Sequence, residues 1–380
     1  MITRRAFLRT AGAALWSFHY RDLAADEFKV NFVREFSKAQ AAQSTPDGKK
    51  LIYLDWGSKR AGAYGIAEIE TGRTLLKDFV KIFRTLGFKD DNHILVREGI
   101  PGSSNDKLSF IDFFSKERTE RILPKNSPSF NNLYLPLRGN NLLAIHTDPD
   151  SYNRRSFLSL TEFPGLRELM KVPYTIQPRE PMTKIGGMQL SNDFDLKIPA
   201  NQSTIAYSYD YTLVCRSAED LRILWTQKIS PPLKAHKLAV SAEGGHVAAF
   251  ATNSQWIPGQ SESLIFVYEG KTGSLEARLS LKGTDGSAIS PSGNNFGLSP
   301  DGKLISVTDI QGENNEWVVR IHIHRASTGK RLATVLHDKV NNRRGSKLPA
   351  YTSSYFTSDG RYLVTSGINT KIWSIDQASL

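Results

Sequence analysis

The stretch Leu298-Ser-Pro-Asp-Gly-Lys-Leu-Ile-Ser-Val307 constrains the fold more than any other part of the chain. Proline fixes φ on entry, aspartate caps its own turn and glycine accepts positive φ, so the phrase is a reverse turn leading into a β-branched strand. It recurs. Thr45-Pro46-Asp47-Gly48-Lys49 precedes Leu51-Ile52-Tyr53-Leu54, and Thr357-Ser358-Asp359-Gly360-Arg361 precedes Tyr362-Leu363-Val364. Ser241-Ala242-Glu243-Gly244 precedes His246-Val247-Ala248-Ala249-Phe250. From Gly244 to Gly302 is 58 positions, and from Gly302 to Gly360 is 58 again. A second phrase, Thr71-Gly72, Thr272-Gly273 and Thr328-Gly329, closes the third strand of three of these units. Two turns in fixed order with strands between them define a four-stranded antiparallel unit, and a fixed period of such units means a repeat architecture.

The strands around these turns follow. The spacing predicts strands over 51–56 and 64–69 in the first unit, 204–208 and 212–216 in a middle one, and 263–268, 317–324 and 370–376 as later third strands. Residues 78 to 180 are less regular, with strands expected over 93–96, 108–114, 142–146 and 157–160 and a degraded turn at Arg138-Gly139-Asn140-Asn141. From Gly48 to Gly244 is 196 positions, which four steps of roughly 49 fill at ordinary propeller spacing. Seven units result, with six or eight as the neighbouring solutions. The final unit stops after its third strand, while Phe28 to Phe36 is a strand without a unit. A ring closes in this way, the first strand completing the last blade and protecting edges that would otherwise invite aggregation.

The Ser-Pro-Asp-Gly-type turns at 45–48, 299–302 and 357–360, the third-strand ending Ile372-Trp373-Ser374 and the run Leu332 to His337 resemble those of the WD-repeat and YVTN-like β-propellers. The resemblance covers nearly all of residues 28 to 376 and implies an all-β, single-domain propeller of residues 26 to 380. It speaks to fold alone, since propellers host binding proteins, hydrolases and oxidoreductases alike.

The first 25 residues read as a targeting segment. Thr3-Arg4-Arg5-Ala6-Phe7-Leu8-Arg9 resembles the twin-arginine export motif, a moderately apolar stretch follows, and Leu23-Ala24-Ala25 ends in small residues. The resemblance implies export of an already folded protein to the periplasm or beyond. No apolar run reaches the roughly 18 residues a spanning helix needs. Cys215 stands alone, which excludes an internal disulfide framework and paired-cysteine haem attachment. Formal net charge is +11, of which the first 25 residues hold +3 (Arg4, Arg5, Arg9 and Arg21 against Asp22), leaving +8 for the rest. That balance favours an anionic partner such as a glycan, although the basic residues form no long runs. Nucleic acid does not fit an exported protein.

Chemistry is sparse. His322 and His324 share one strand face with Arg320, which reads as the polar face of a half-buried strand rather than a metal site. His337 reads as a structural histidine between blades, Cys215 as an inert core thiol and Trp225 as packing. The pairs Asp148/Asp150 and Asp193/Asp195 lack the glycine and downstream glutamate of a calcium loop. No Gly-x-Ser-x-Gly elbow and no phosphate-cradling loop occurs. The leading expectation is a monomeric, non-catalytic propeller that holds no cofactor or metal and binds a protein or anionic glycan through its loop face. Tyr152, Arg154 and Arg155, in the polar insertion 147–156, are the candidate contact residues. The alternative is an exported propeller enzyme, a cofactor-dependent oxidoreductase or lactone hydrolase, whose residues would converge from several blades.

Overall fold

The computed structural model describes residues 28–55, 63–79, 83–100, 102–125, 127, 132–147, 155–174, 196–209, 211–231, 233–253, 263–282, 296–341, 352–367 and 369–376. Seven four-stranded antiparallel sheets form a ring. Strand β1 (Val30–Phe36) precedes blade 1, which contains β2 (Ala39–Ser44), β3 (Lys50–Asp55), β4 (Ala63–Glu68) and β5 (Thr74–Phe79). Blade 2 holds β6 (Phe83–Phe88), β7 (His93–Gly99), β8 (Asp106–Asp112) and β9 (Arg118–Leu123). Blade 3 holds β10 (Leu133–Pro136), β11 (Asn141–Thr147), β12 (Arg155–Glu162) and β13 (Arg167–Pro173). Blade 4 holds β14 (Leu196–Lys197), β15 (Thr204–Tyr209), β16 (Thr212–Ser217) and β17 (Ile223–Lys228). Blade 5 holds β18 (Leu233–Val240), β19 (His246–Asn253), β20 (Ser263–Glu269) and β21 (Leu275–Ser280). Blade 6 holds β22 (Phe296–Leu298), β23 (Leu304–Glu313), β24 (Glu316–Arg325) and β25 (Arg331–Asn341). Blade 7 holds β26 (Ser353–Phe356), β27 (Tyr362–Ser366) and β28 (Thr370–Ile375), and β1 completes it by pairing Val30 with Ile375 through Phe36 with Thr370. The expected count and closure are both observed. Among the described residues no helix is long and apolar enough to cross a membrane.

The core is divided among the seven junctions between blades. Strand β20 shows why. Leu264, Phe266 and Tyr268 pack against blade 4, while Ile265 and Val267 pack against blade 6. Side chains alternate along a strand, so a strand flanked on both faces must be apolar throughout. The outer strands are different: β9 and β13 are exposed over most of their length. They lack a second apolar face and so carry little sequence signal.

The recurring turn is built identically three times. The Thr45 hydroxyl donates to Asp47 Oδ1 at 2.6 Å and accepts from Lys50 N at 3.0 Å, while Lys49 N donates to Asp47 Oδ1 at 3.0 Å. Ser299 with Asp301, and Thr357 with Asp359, make the same bonds, each starting at 2.6 Å. The glycine has a second duty, because each turn abuts its neighbour. A Cβ on Gly302 (φ +74) would lie 2.2 Å from His246 Nδ1 of blade 5, and one on Gly48 would lie 2.7 Å from Asp359 of blade 7. The degraded phrase at 138–141 does form the equivalent turn, with Gly139 at φ +68.

Junctions in the middle of the ring are tied differently. Arg97, 4% exposed, donates from Nε to Asp106 Oδ2 at 2.9 Å and from Nη1 to the Asn132 carbonyl on the way to blade 3. Arg216, 5% exposed, reaches from blade 4 to the Pro173 carbonyl of blade 3 at 3.2 Å, and also bonds Tyr207 Oη at 3.0 Å and the Leu221 carbonyl at 2.6 Å. Planar guanidinium groups with several fixed donors suit such bridging.

Candidate functional site

The first strand of every blade faces the central channel, and the chain crosses the ring ends by two unlike sets of connections. At one end, the turn end, first-to-second and third-to-fourth strand links are all four to six residues long, from 89–92 to 198–203. At the other, the loop end, links range from two residues (314–315) to twenty-two (174–195), with 254–262, 281–295 and 342–352 also long. The polar insertion emerges at the loop end between β11 and β12. Tyr152 and Arg154 lie outside the described residues, as do Asp148, Asp150, Asp193 and Asp195. Arg155 opens β12, its backbone pairing with Thr147.

At the turn end all seven first strands, with the turns of blades 1, 4, 5, 6 and 7, line a cavity of about 380 Å3. Its walls mix apolar surface, from Phe88, Pro136, Pro199, Leu238, Phe296 and Pro300, with polar residues that include Gln43, Lys197, Gln202, Ser353 and Ser358. Gln43 Oε1 accepts from Phe88 N at 3.1 Å, tying blades 1 and 2. Gln202 Nε2 donates to the Lys89 carbonyl at 2.8 Å, so the blade 4 turn reaches past blade 3 to blade 2. Sequence reasoning missed this cavity, because its residues come from seven strands spaced roughly one blade apart and share no local pattern.

A second cavity of about 260 Å3 sits between blades 2 and 3, walled by Phe110, Phe163 and Pro164 with Lys89 and His93 at its rim. His93 Nδ1 lies 2.8 Å from Asp90 Oδ1 and Nε2 lies 3.7 Å from Asp112 Oδ2. The Lys89 ammonium stacks 4.8 Å from the Phe110 ring centroid and donates to Asn140 Oδ1 at 3.2 Å.

His322, His324 and His337 are structural, though the first two differ from expectation. His322 and His324 are buried at 0% and 3% exposure, not set on a half-exposed polar face. His322 bridges Asp309 Oδ2 at 3.0 Å and Thr334 Oγ1 at 2.9 Å, linking three strands of blade 6, and His324 Nδ1 meets the Gly329 carbonyl at 2.9 Å. Arg320 pairs with both carboxylate oxygens of Glu313, at 2.6 and 2.9 Å. His337 does stand between blades: its Nδ1 meets Thr365 Oγ1 at 2.9 Å, and Trp373 Nε1 donates to the same oxygen at 2.9 Å. Burial, reinforced by the Lys371 ammonium, holds the His337 imidazole down to about 4, so it is neutral at pH 7. Cys215 is fully buried and its thiol is pushed up to about 12 by desolvation, as an inert core thiol should be. Trp225 packs in the core and donates to the Gly270 carbonyl at 2.7 Å. Among the described residues no three His, Cys, Asp or Glu side chains are placed to share a metal ion.

No protein-family model matches the chain, and no curated protein sequence does. Solved structures do resemble it. The β-propeller domain of Myceliophteria thermophila Cps50 (Swd1) is similar over 92% of this chain and 100% of its own, at 13% identity and a TM-score of 0.54. Kluyvelomyces marxianus Hsv2 is similar over 87% and 89%, at 12% identity and 0.55. Kuenenia stuttgartiensis hydrazine synthase is similar over 90% and 96%, at 14% identity and 0.54. At these identities the likeness establishes architecture and nothing finer. The class is therefore a seven-bladed β-propeller of WD40-like fold.

Proposed function

We propose that this chain is an exported, non-catalytic propeller that binds a protein or anionic glycan at the loop end of its ring. The observation that carries the reading is the asymmetry of the two ends: uniform short turns at one, and connections of up to twenty-two residues at the other. Recognition concentrates in long loops held by a rigid scaffold. The +8 charge carried beyond residue 25 supports an anionic partner. The turns at 45–48, 299–302 and 357–360 and the Ile372-Trp373-Ser374 ending support kinship with WD-repeat and YVTN-like propellers.

Residues 1–25 act as a twin-arginine signal in this reading, and 26–380 as the mature domain in the periplasm or medium. Ring closure agrees with such a route, since a pathway for folded cargo suits a protein whose strand at 30–36 must meet its strand at 370–375 before the last blade exists. Fractionation tests this: the protein should appear outside the inner membrane, and Arg4→Lys with Arg5→Lys should trap it in the cytoplasm. Native mass spectrometry with elemental analysis tests the rest. A protein exported in its own host should carry no stoichiometric metal or chromophore, and a captured partner should be lost with Tyr152→Ala, Arg154→Ala and Arg155→Ala together. Stoichiometric metal or a bound chromophore would instead support the oxidoreductase or lactone hydrolase reading.

A further inference from the structure

His322 ties three strands of blade 6 together, and the same bonds have a second use. Asp309 Oδ2 on β23 lies 3.0 Å from His322 Nε2, and Thr334 Oγ1 on β25 lies 2.9 Å from Nδ1. A carboxylate only accepts, so Nε2 carries the ring proton and Nδ1 is the acceptor. The Thr334 hydroxyl therefore donates to Nδ1. A nucleophile, a base and a group that orients the base stand in that order. Their exposure matches those roles: Asp309 and His322 are buried, and Thr334 is exposed on the outermost strand of the blade.

The fold does not require a histidine there. Third strands β16, β20 and β24 each shift register against the outer strand, after Cys215, Val267 and Ile323. The residue before that point is Val214 in blade 4 and Phe266 in blade 5, both buried and apolar, but His322 in blade 6. Opposite them stand Thr226, Arg278 and Thr334. Blade 4 thus has the exposed threonine without the histidine. A buried histidine–carboxylate pair where neighbouring blades pack apolar side chains breaks the local rule, and such departures mark functional positions.

We propose that Thr334 is a site of covalent acylation, its hydroxyl activated by His322 with Asp309 as the positioning residue. Thr334 Oγ1 attacks the carbonyl carbon of an activated ester or thioester while its proton passes to His322 Nδ1, and Asp309 stabilises the imidazolium that forms. The bond from that carbon to the leaving oxygen or sulfur breaks, and the leaving group takes the proton from Nδ1. The products are a threonine ester and an alcohol or thiol, with no change of oxidation state. Two neighbours on this face favour an uncharged acyl group. Leu336, opposite Arg320, is 46% exposed and offers apolar contact. Arg320 itself is committed to both carboxylate oxygens of Glu313, which leaves a phosphoryl group without its usual partner. The site lines neither cavity and does not depend on the loop-end reading.

Treating the full chain with p-nitrophenyl acetate, and following each acylated residue by peptide mass spectrometry, tests this. Thr226 is the internal reference, since it holds the same exposed register opposite valine. Thr334 should acylate roughly 100-fold faster, the scale of general-base catalysis. His322→Gln should bring Thr334 down to the Thr226 rate while Thr226 is unchanged. Asp309→Asn, whose amide donates to Nε2 and imposes the wrong tautomer, should do the same. Thr334→Ser should keep the reaction. Equal rates at Thr334 and Thr226 in the parent chain, a comparison that needs no variant to fold, would overturn the proposal. So would a Thr334 rate unmoved by His322→Gln, which would leave the histidine with its structural role alone.

Discussion

Blades 1, 5, 6 and 7 and blades 2 to 4 reach one architecture by different chemistry. In the first set the left-handed turn position is glycine: Gly48, Gly72, Gly244, Gly273, Gly302, Gly329 and Gly360 all have φ near +70. In blades 2 and 4 side chains take equivalent places, with Lys116 at φ +67, Gln202 at +51 and Leu221 at +53, and blade 3 mixes the two, with Gly139 at +68 and Leu166 at +54. The junctions divide the same way. Blades 6 and 7 are locked by the His337–Thr365–Trp373 bonds, whereas the middle blades are bridged by Arg97 and Arg216. A propeller thus specifies backbone path and interblade contact at each turn, and leaves the choice of residue open.

The sharpest way to break the comparison is at the buried arginines. Arg97→Met should cost about 3–5 kcal/mol in urea unfolding, since it strands Asp106, 2% exposed, without its cation. Adding Asp106→Leu should recover most of that loss; failure to recover would mean that the arginine's carbonyl bond matters more than the ion pair. Acid should next pick out the opposite side of the ring. His337 has its folded value lowered to about 4 from an ordinary 6.5, so the unfolded chain binds the extra proton between those values. Stability is then full above about pH 6.5 and falls by roughly 3 kcal/mol as pH drops to 4, with a slope of at most about 1.4 kcal/mol per unit. His324, lowered chiefly by burial, adds in the same direction. His337→Gln should flatten the dependence, and an unchanged slope would assign it to other groups. Gly302→Ala should cost about 2 kcal/mol from left-handed strain and the contact with His246. Lys116→Gly, at an exposed left-handed position, should do the reverse and stabilise by about 0.5 kcal/mol. Equal signs for these last two would remove the distinction between the two sets of blades.

What could be read from the chain follows the same line. The turns at 45–48, 299–302 and 357–360 are legible because a hydroxyl, a carboxylate and a glycine are each needed for bonds to defined backbone atoms. The third strands are legible because both faces are buried, as in Leu264 to Tyr268. Elsewhere the signal fades for physical reasons. Strand β14 has only two residues, and β13 buries almost nothing. The strand expected over 108–114 ends at Asp112, whose carboxylate accepts from Phe114 N at 2.7 Å and starts the turn. The histidine pair at 322 and 324 was legible as one face but not as a buried one, because burial depends on blade packing rather than on strand period. The channel cavity was not legible at all: Gln202 and Tyr355 are 153 positions apart and line one cavity only because the ring closes.

That closure also sets a clock. The partner of β1 is β28, so among the described strands the first in the chain pairs with the last. At roughly 5–20 residues per second, 380 residues take about 20 to 80 s to synthesise. Throughout that interval β1 has no partner within its own chain, and blades assembled meanwhile form an open arc. A chain that fails to finish therefore presents an unpaired edge that quality control can detect.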